Sequence, residues 1–257
     1  MLAFTREVSP AIAECELTHL TRQPIDRDTA VRQHASYERC LSDLGCRVCR
    51  LPGGAELPDG VFIEDTAVVL DELAVIARPG AVSRRRETAA VAEALRPYRS
   101  LVTIDPPGTL DGGDVLRVGR SIYVGRSSRS NAEGVRQLAR HVAPFGYNVC
   151  AVEVAGALHL KSAVTEVAER TLLINGDWVR PEAFPGMDLI AVDPAEPFGG
   201  NALRIGGTVV YPSSFARTRS ALEARGIAVR AVDASELAKA EAGVTCCSLI
   251  LREAGDR

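Results

Sequence analysis

The stretch LDGGDVLRVGRSIYV, from Leu110 to Val124, begins with a short run of aspartates and glycines and continues directly into a predicted hairpin. We call such a short run before a strand a polar signature. Val115 to Val124 is typical of two short β runs joined by a tight turn at Gly119-Arg120. The paired glycines at 112 and 113 indicate a close approach of the backbone to something else. This stretch therefore predicts a strand pair that starts at a crowded polar site.

The same combination recurs at a spacing of roughly 40 to 50 residues, a period typical of propellers and solenoids. Hairpins are also predicted over Ala67 to Ala77 and Ala202 to Tyr211. The last signature has no hairpin after it, so we expect Leu2 to Val8 to supply the missing strand. Five equivalent units would then close into a ring with every signature facing one central site. The signatures are Phe62-Ile63-Glu64-Asp65, Leu110-Asp111-Gly112-Gly113-Asp114, Leu158-His159-Leu160-Lys161, Gly199-Gly200-Asn201 and Thr245-Cys246-Cys247-Ser248.

Helical patterns separate the hairpins, which makes the fold class α/β. The first helix carries apolar positions from Ala30 to Leu44, with Asp28 or Thr29 as its N-cap and Gly45 just past its end. The others are expected over Ser83 to Leu95, Ala132 to Val142, Ser220 to Arg225 and Ser235 to Ala240.

Composition restricts the class of protein. The 257 residues are expected to form one domain, and 46% hydrophobic with 25% charged residues is too polar for a membrane span. A net charge of -3 with interspersed signs argues against nucleic acid as a partner. Met1 to Ala13 does not have the apolar core of a signal sequence. Seven cysteines in a chain with no expected signal sequence favour a reducing, cytoplasmic location.

Together the signatures supply a thiol, an imidazole, several carboxylates and an amide. A thiolate is a nucleophile, a His moves protons, and carboxylates pair with guanidinium groups, so this set suits attack on a cationic planar carbon. A metal or other cofactor is not expected, because the ligand-type residues are far apart and lack the usual zinc spacings.

Structural roles compete with each of these assignments. Free cysteines are most often small buried hydrophobes, and either Cys246 or Cys247 could be the reactive one. On an extended strand the two would face opposite ways. Carboxylates near turns, including Asp65 and Asp111, often cap the backbone. Arg84 belongs to a run of cations at a predicted helix start, where the helix dipole disfavours them unless an anion is bound.

Several motifs together resemble the dimethylarginine dimethylaminohydrolases, which belong to the guanidino-modifying enzymes. The resemblance spans nearly the whole chain in order, and it implies a five-bladed α/β propeller, the pentein fold. The motifs are Leu57 to Asp65, Arg78 to Arg85, Thr109 to Val115, Arg129-Ser130-Asn131, Leu158 to Ser162 and Leu237 to Ser248.

By this resemblance Cys246 is the nucleophile and His159 the general acid and base. Asp111 takes the carboxylate position that supports the histidine and the guanidinium. The implied reaction converts an Nω-methylated arginine to citrulline and methylamine or dimethylamine, through a covalent thiouronium adduct on the cysteine and without a cofactor.

The resemblance also implies how the substrate is held. Glu64 and Asp65 match substrate-binding acids, with Asp59 beside them, while Arg84 and Arg129 match the pair that holds the α-carboxylate.

Leu17 and Ala240 match places where main-chain groups meet the substrate. Ala240 replaces a larger apolar residue, and Gly199-Gly200-Asn201 departs from the usual Ala-Ala-Asn, which leaves the exact guanidine substituent open. An arginine deiminase, a hydrolase of another guanidine and a non-enzymatic methylarginine-binding protein are the alternatives. An exposed edge or helix face could support a homodimer.

Overall fold

A computed structural model describes residues 1–252, which contain fifteen short strands. They are β1 (Leu2–Arg6), β2 (Arg47–Leu51), β3 (Ala67–Val69), β4 (Leu73–Ile76), β5 (Ser100–Thr103), β6 (Val115–Val118), β7 (Ser121–Arg126), β8 (Asn148–Glu153), β9 (Val164–Ala168), β10 (Thr171–Ile174), β11 (Asp188–Ala191), β12 (Leu203–Ile205), β13 (Thr208–Pro212), β14 (Ala228–Val232) and β15 (Leu249–Leu251).

The strands form five three-stranded sheets with one repeated topology. In each, the middle strand pairs antiparallel with one neighbour and parallel with the other. We call them sheet I (β15-β1-β2), sheet II (β3-β4-β5), sheet III (β6-β7-β8), sheet IV (β9-β10-β11) and sheet V (β12-β13-β14). The structure is thus a mixed α/β fold with a five-fold repeat.

Sheet I joins the two ends of the described chain. Leu2 of β1 lies opposite Leu251 of β15 in the antiparallel pair, and β1 runs parallel to β2 on its other side. The expectation that the N-terminal segment supplies the missing strand is confirmed. It does so as the middle strand of the sheet.

Six α-helices connect or cover the sheets: α1 (Arg27–Asp43), α2 (Thr88–Leu95), α3 (Ala132–Val142), α4 (Leu160–Ala163), α5 (Ala216–Ala224) and α6 (Ser235–Ala238). The N-cap of α1 is Asp26, two residues before Asp28 and three before Thr29, the predicted caps, because the Asp26 carboxylate accepts the N–H of Thr29 at 3.1 Å. Helix α5 begins at Ala216, four residues before the predicted start, and α6 ends two residues early.

The helix predicted over Ser83 to Leu95 is divided. Val82–Glu87 forms a 3-10 helix, and only Thr88–Leu95 is α-helical. Arg84 in this tighter turn is 4% exposed, and its guanidinium donates to the carbonyl of Phe62 at 2.9 Å. The 3-10 helix therefore brings one cation of the charged run inward.

Five apolar clusters fill the spaces between neighbouring sheets. Each cluster joins sheets that are consecutive along the chain, and one joins sheet V back to sheet I through Val210 and Ala3. The other pairs are represented by Ala74 and Leu2 for I and II, Val124 and Val75 for II and III, Leu172 and Leu116 for III and IV, and Val209 and Leu173 for IV and V. Within residues 1–252, no helix combines the length and apolar character needed to cross a bilayer.

Candidate active site

The polar signatures form tight turns just before the first strand of four sheets. Ile63–Thr66, Gly112–Asp114 and Thr245–Cys247 are 3-10 helices, and Leu160–Ala163 is the one-turn α4. These turns contact one another. A Cβ added to Gly113 would lie 2.6 Å from Nδ1 of His159, so the glycine predicted to permit a close approach does so at the imidazole.

The two adjacent thiols have different surroundings. Cys246 is partly exposed, and its Sγ accepts the N–H of Gly243 at 3.3 Å. Cys247 is 3% exposed and packs in the cluster between sheets V and I. The pair lies on a 3-10 helix rather than on the expected strand, and successive side chains there point about 120° apart. Of the two thiols, Cys246 alone lines the cavity that also contains His159.

A cavity of about 20 Å³ brings most of the expected site residues together. It lies among side chains that come from different sheets and from the connections between them. The expected residues that line it are Asp59, Asp65, Arg84, Arg129, His159, Ala240 and Cys246.

His159 lies at the N-cap of α4 and is held between two carboxylates. Its Nε2 is 3.1 Å from Oδ2 of Asp111, and its Nδ1 is 3.8 Å from Oδ1 of Asp65. Burial acts to lower the pKa of His159, but Asp65, the hydrogen bond to Asp111 and the charge of Asp114 outweigh it and raise the pKa to about 9. The imidazole is therefore protonated at neutral pH and can act as an acid.

Asp65 is the fixed anion of the cavity. Burial acts to raise its pKa, but His159 and Arg84 overcome this, and the N–H of Gly113 at 2.9 Å adds to them, so the pKa falls to about 2. Arg84 donates to Oδ2 of Asp65 at 2.6 Å. An ionised carboxylate beside the thiol is suited to pairing with a guanidinium.

Asp111 lies behind the histidine. It is fully buried, and its Oδ1 accepts the N–H of Gly80 at 2.9 Å while Oδ2 faces His159. Asp65, Asp111 and His159 place potential metal-ligand atoms within 4.8 Å of one another. A cation bound there would compete with the proton that these carboxylates stabilise on His159.

The two arginines differ in how fully their donors are used. Besides Asp65 and the carbonyl of Phe62, Arg84 donates to Glu87 at 3.1 and 2.8 Å. Arg129 donates to the Thr18 hydroxyl at 3.1 Å, and its Nη1 is 4.0 Å from Asp111. Arg129 is therefore the arginine with more capacity to bind an added anion.

Asp59 and Leu17 lie towards the N-terminal segment. The Asp59 carboxylate accepts the N–H of Glu16 at 3.1 and 3.2 Å. Its burial, only partly offset by Arg84, raises its pKa to about 6. Leu17 is half-buried against the cluster between sheets V and I and does not line the cavity.

Glu64 also lies outside the cavity, unlike its neighbour Asp65. Its oxygens accept from Nζ of Lys161 at 2.5 Å and from the hydroxyl of Thr245 at 2.7 Å. It lines instead a cavity of about 640 Å³ formed by the first strands of the sheets. Because consecutive residues of a tight turn point apart, Glu64 contacts the thiol-bearing turn through Thr245, while Asp65 lines the cavity.

The free thiol is strongly protonated. Burial, followed by the charges of Glu64 and Asp65, raises the pKa of Cys246 to about 12, against smaller opposing effects of the Gly243 N–H and Lys161. A cation entering between Cys246 and Asp65 would offset these carboxylates and favour the thiolate. The site is thus electrostatically matched to a positively charged reactant.

Other contributors had no role predicted from the sequence. The carboxylate of Asp114 accepts from the N–H of Leu160 at 3.0 Å and from the hydroxyls of Ser127 and Ser130 at 2.5 and 2.6 Å. Asp114 and Lys161 lie within signatures, so their positions were a usable signal. Glu241, which lines the cavity, lies outside the signatures but within the motif Leu237 to Ser248, where no role was predicted for it.

Comparison with known proteins agrees with this geometry. A family model described as N,N dimethylarginine dimethylhydrolase, eukaryotic, matches residues 15–183. The N(G),N(G)-dimethylarginine dimethylaminohydrolase of Streptomyces coelicolor is 40% identical over 257 residues, covering 99% of this chain and 98% of the relative.

Solved structures show the same fold. The Pseudomonas aeruginosa enzyme of that name, solved as a cysteine-to-serine variant complexed with citrulline, aligns with a TM-score of 0.92 at 31% identity, over 96% of this chain and 97% of that one. The N-terminal domain of ArgZ, a cyanobacterial arginine dihydrolase, aligns at 0.86 with 17% identity over 96% of each chain. On the family model and the sequence identity, the chain belongs to the dimethylarginine dimethylaminohydrolase family.

Proposed function

We propose that this protein hydrolyses Nω-methylated arginine to citrulline and methylamine or dimethylamine. The observation that carries the proposal is the placement of Cys246, His159 and Asp65 around one cavity, with Asp111 behind the imidazole. Two relatives support the substrate: one bears the name of this activity, and one was solved with citrulline.

The substrate is held through its charges. Asp65 pairs with the guanidinium, and Arg129, assisted by Arg84, binds the α-carboxylate. Asp59 and the main chain at Leu17 and Ala240 contact the amino-acid end. Glu64 acts indirectly, since its hydrogen bond with Thr245 fixes the turn that carries the nucleophile.

Catalysis then takes two steps. The bound guanidinium lowers the pKa of Cys246, whose proton passes to solvent, and the thiolate attacks the guanidinium carbon to form a carbon–sulfur bond. His159 gives its proton to the departing nitrogen, and the carbon–nitrogen bond breaks to leave a thiouronium adduct. The neutral imidazole next removes a proton from water, whose oxygen attacks the same carbon. The carbon–sulfur bond breaks, the hydroxyl proton of the adduct passes to the departing sulfur, and citrulline leaves with the Cys246 thiol regenerated.

The architecture that supports this chemistry is, in our proposal, a five-bladed α/β propeller forming a single catalytic domain. Five sheets of one topology and five apolar clusters between consecutive sheets support it. Each blade would direct its polar turn towards the centre. We further propose a cytoplasmic enzyme that needs no cofactor and is able to form a homodimer.

A citrulline assay on a small panel of guanidines tests the reaction. We expect product from monomethyl- and asymmetric dimethylarginine, and none from Cys246→Ser or His159→Ala. Cys247→Ala is the matched control, because its thiol packs in the core and should leave most of the activity. Turnover of plain arginine alone would favour a deiminase, turnover of another guanidine would favour a different hydrolase, and binding without turnover would favour a sensor. Activity lost in Cys247→Ala but kept in Cys246→Ser would contradict the assignment of the nucleophile.

A further inference from the structure

One carboxylate beside the cavity holds three consecutive backbone N–H groups of a distant segment. Glu241 accepts the N–H of Thr18 at 3.0 Å through Oε1 and 3.1 Å through Oε2, and it also accepts those of His19 and Leu20. Hydrogen bonds to an ionised acceptor are roughly twice as strong as neutral ones. Residues 16–20, which we call the covering segment, have no helix or strand of their own.

The covering segment borders one side of the cavity. Glu16 lines it, and Asp59, another lining residue, accepts the Glu16 N–H. Two residues further on, the Thr18 hydroxyl accepts from Arg129, where an oxygen of a substrate carboxylate would be bound. Carboxylates thus fix this segment at both ends.

In this conformation the cavity is too small for its reactant. Its volume of about 20 Å³ is close to the space one water molecule requires, whereas an amino acid needs far more. The covering segment must therefore move for substrate to enter, and must return for the site to exclude solvent. The strength of the Glu241 contact sets the balance between these states.

The backbone at Glu241 suggests that this position is specialised. Its φ is +59°, in the left-handed region that residues with side chains adopt at a cost. The residue follows α6 and precedes the nucleophile on the same connection, and its neighbours Ala240 and Ala242 also line the cavity. The contact to the covering segment and the thiol are therefore built on one short piece of chain.

We propose that Glu241 is a positioning residue that holds the covering segment closed over bound substrate. The inference rests on the proposed function and adds to it the element that retains the methylarginine. Substrate carboxylate replaces the Thr18 hydroxyl on Arg129, and Glu241 then secures the segment above it. Loss of this contact weakens retention of substrate without changing the groups that react, so KM rises while kcat is kept.

Two substitutions and one matched control test the proposal. Glu241→Gln keeps the shape but removes the charge, and Glu241→Gly removes the carboxylate while accepting a positive φ without strain. Glu196→Gln is the control, because the Glu196 carboxylate similarly accepts two backbone N–H groups, of Arg217 and Thr218 at 2.9 and 2.8 Å, away from the cavity. KM and kcat for dimethylarginine are measured, together with hydrogen exchange of peptides covering residues 16–24.

We expect Glu241→Gly to raise KM at least about tenfold, with kcat lowered by no more than about threefold, and Glu241→Gln to have a smaller effect in the same direction. Exchange at residues 18–20 should accelerate in both variants and stay at the wild-type rate in Glu196→Gln. Unchanged exchange and unchanged KM in Glu241→Gly would overturn the proposal. So would a fall in kcat with KM unaltered. If wild-type protein turned over no guanidine, the proposed function would fail, while the exchange rates would still decide whether Glu241 holds the segment.

Discussion

At the scale of single residues, the site is governed by the pairing of buried charges. Asp65 and His159 shift each other's pKa in opposite directions, to about 2 and about 9, because each stabilises the charged form of the other. Burial, Glu64 and then the same Asp65 carboxylate disfavour the thiolate of Cys246 and raise its pKa. The free site therefore holds a protonated imidazole and a protonated thiol. A cation paired with Asp65 would favour the thiolate of Cys246 and would also weaken the support that Asp65 gives to the charged imidazole, which makes His159 a stronger acid.

The His159 shift makes a prediction for stability against pH. The folded-state pKa of about 9 lies above the ordinary value of 6.5, so the contribution of the charged imidazole is fully present below about 6.5. It is lost as the pH rises towards and through 9. Between pH 6 and 9.5 we expect the unfolding free energy of wild-type protein to fall by up to about 3 kcal/mol more than that of His159→Asn.

Urea unfolding at several pH values measures this difference. His141 offers a matched control, since this half-buried histidine of α3 does not line the cavity and its Nε2 lies 3.1 Å from the carbonyl of Thr103, so His141→Asn leaves the contacts of His159 in place. A wild-type profile that parallels His159→Asn would mean that the imidazole is neutral in the folded protein.

At the scale of elements, the sequence predicted pieces with strong local signals and missed those determined by tertiary contacts. The turns at Gly119 and Gly206 were predictable because glycine is the residue type that adopts positive φ most readily, and both glycines do so in the structure. The hairpin of sheet IV turns at Arg170, whose φ of +55° has no such signal in its residue type. Likewise, Arg84 was predicted to lie on a regular helix, but it lies buried on a 3-10 helix. Local sequence could not predict this, because the burial depends on a contact with Phe62, 22 positions away.

Asp114 illustrates an element-level role that spacing alone could not reveal. Its carboxylate binds the start of α4 at Leu160 and two serine hydroxyls. Ser127 in turn accepts the N–H of Arg129 at 3.0 Å, and Ser130 accepts that of Asp111 at 3.1 Å. One buried carboxylate outside the cavity thereby fixes the backbone at Leu160 directly, and at Arg129 and Asp111 through the two serines.

Asp114→Asn should therefore lower the unfolding free energy by about 2 to 3 kcal/mol and reduce kcat/KM at least about tenfold, because charge-assisted bonds are lost. Substituting each serine by itself separates the effect on Arg129 from the effect on Asp111. Ser127→Ala should act mainly on KM through Arg129, and Ser130→Ala mainly on kcat through Asp111. Steady-state citrulline kinetics and urea unfolding measure both, and identical kinetic profiles for the two serine variants would argue against separate connections.

At the scale of the whole molecule, the ends of the described chain complete the repeat. Because β1 is the middle strand of sheet I, its residues contribute to the clusters on both sides: Phe4 packs towards sheet II, while Ala3 packs towards sheet V. The sequence indicated this closure because the last signature, Thr245 to Ser248, has no hairpin after it and Leu2 to Val8 is an apolar run that could supply the missing strand. It could not indicate the strand order, which depends on pairing between residues about 250 positions apart.

A closed arrangement predicts that damage to one cluster destabilises the sheet farthest from it. Phe4 is 4% exposed and contacts Tyr98 edge to face, so Phe4→Ala should cost about 3 to 5 kcal/mol. The single tryptophan, Trp178, packs in the cluster between sheets III and IV, which Phe4 does not touch. If the molecule unfolds as one unit, Trp178 fluorescence and far-ultraviolet circular dichroism should shift together to lower urea in Phe4→Ala.

The exposed Phe145 supplies the control, because Phe145→Ala removes the same ring from a surface position and should leave both transitions in place. A Trp178 transition that stayed at its wild-type midpoint while circular dichroism moved would show that the sheets unfold separately. The five clusters would then be local cores rather than one continuous structure holding Cys246 and His159 in register.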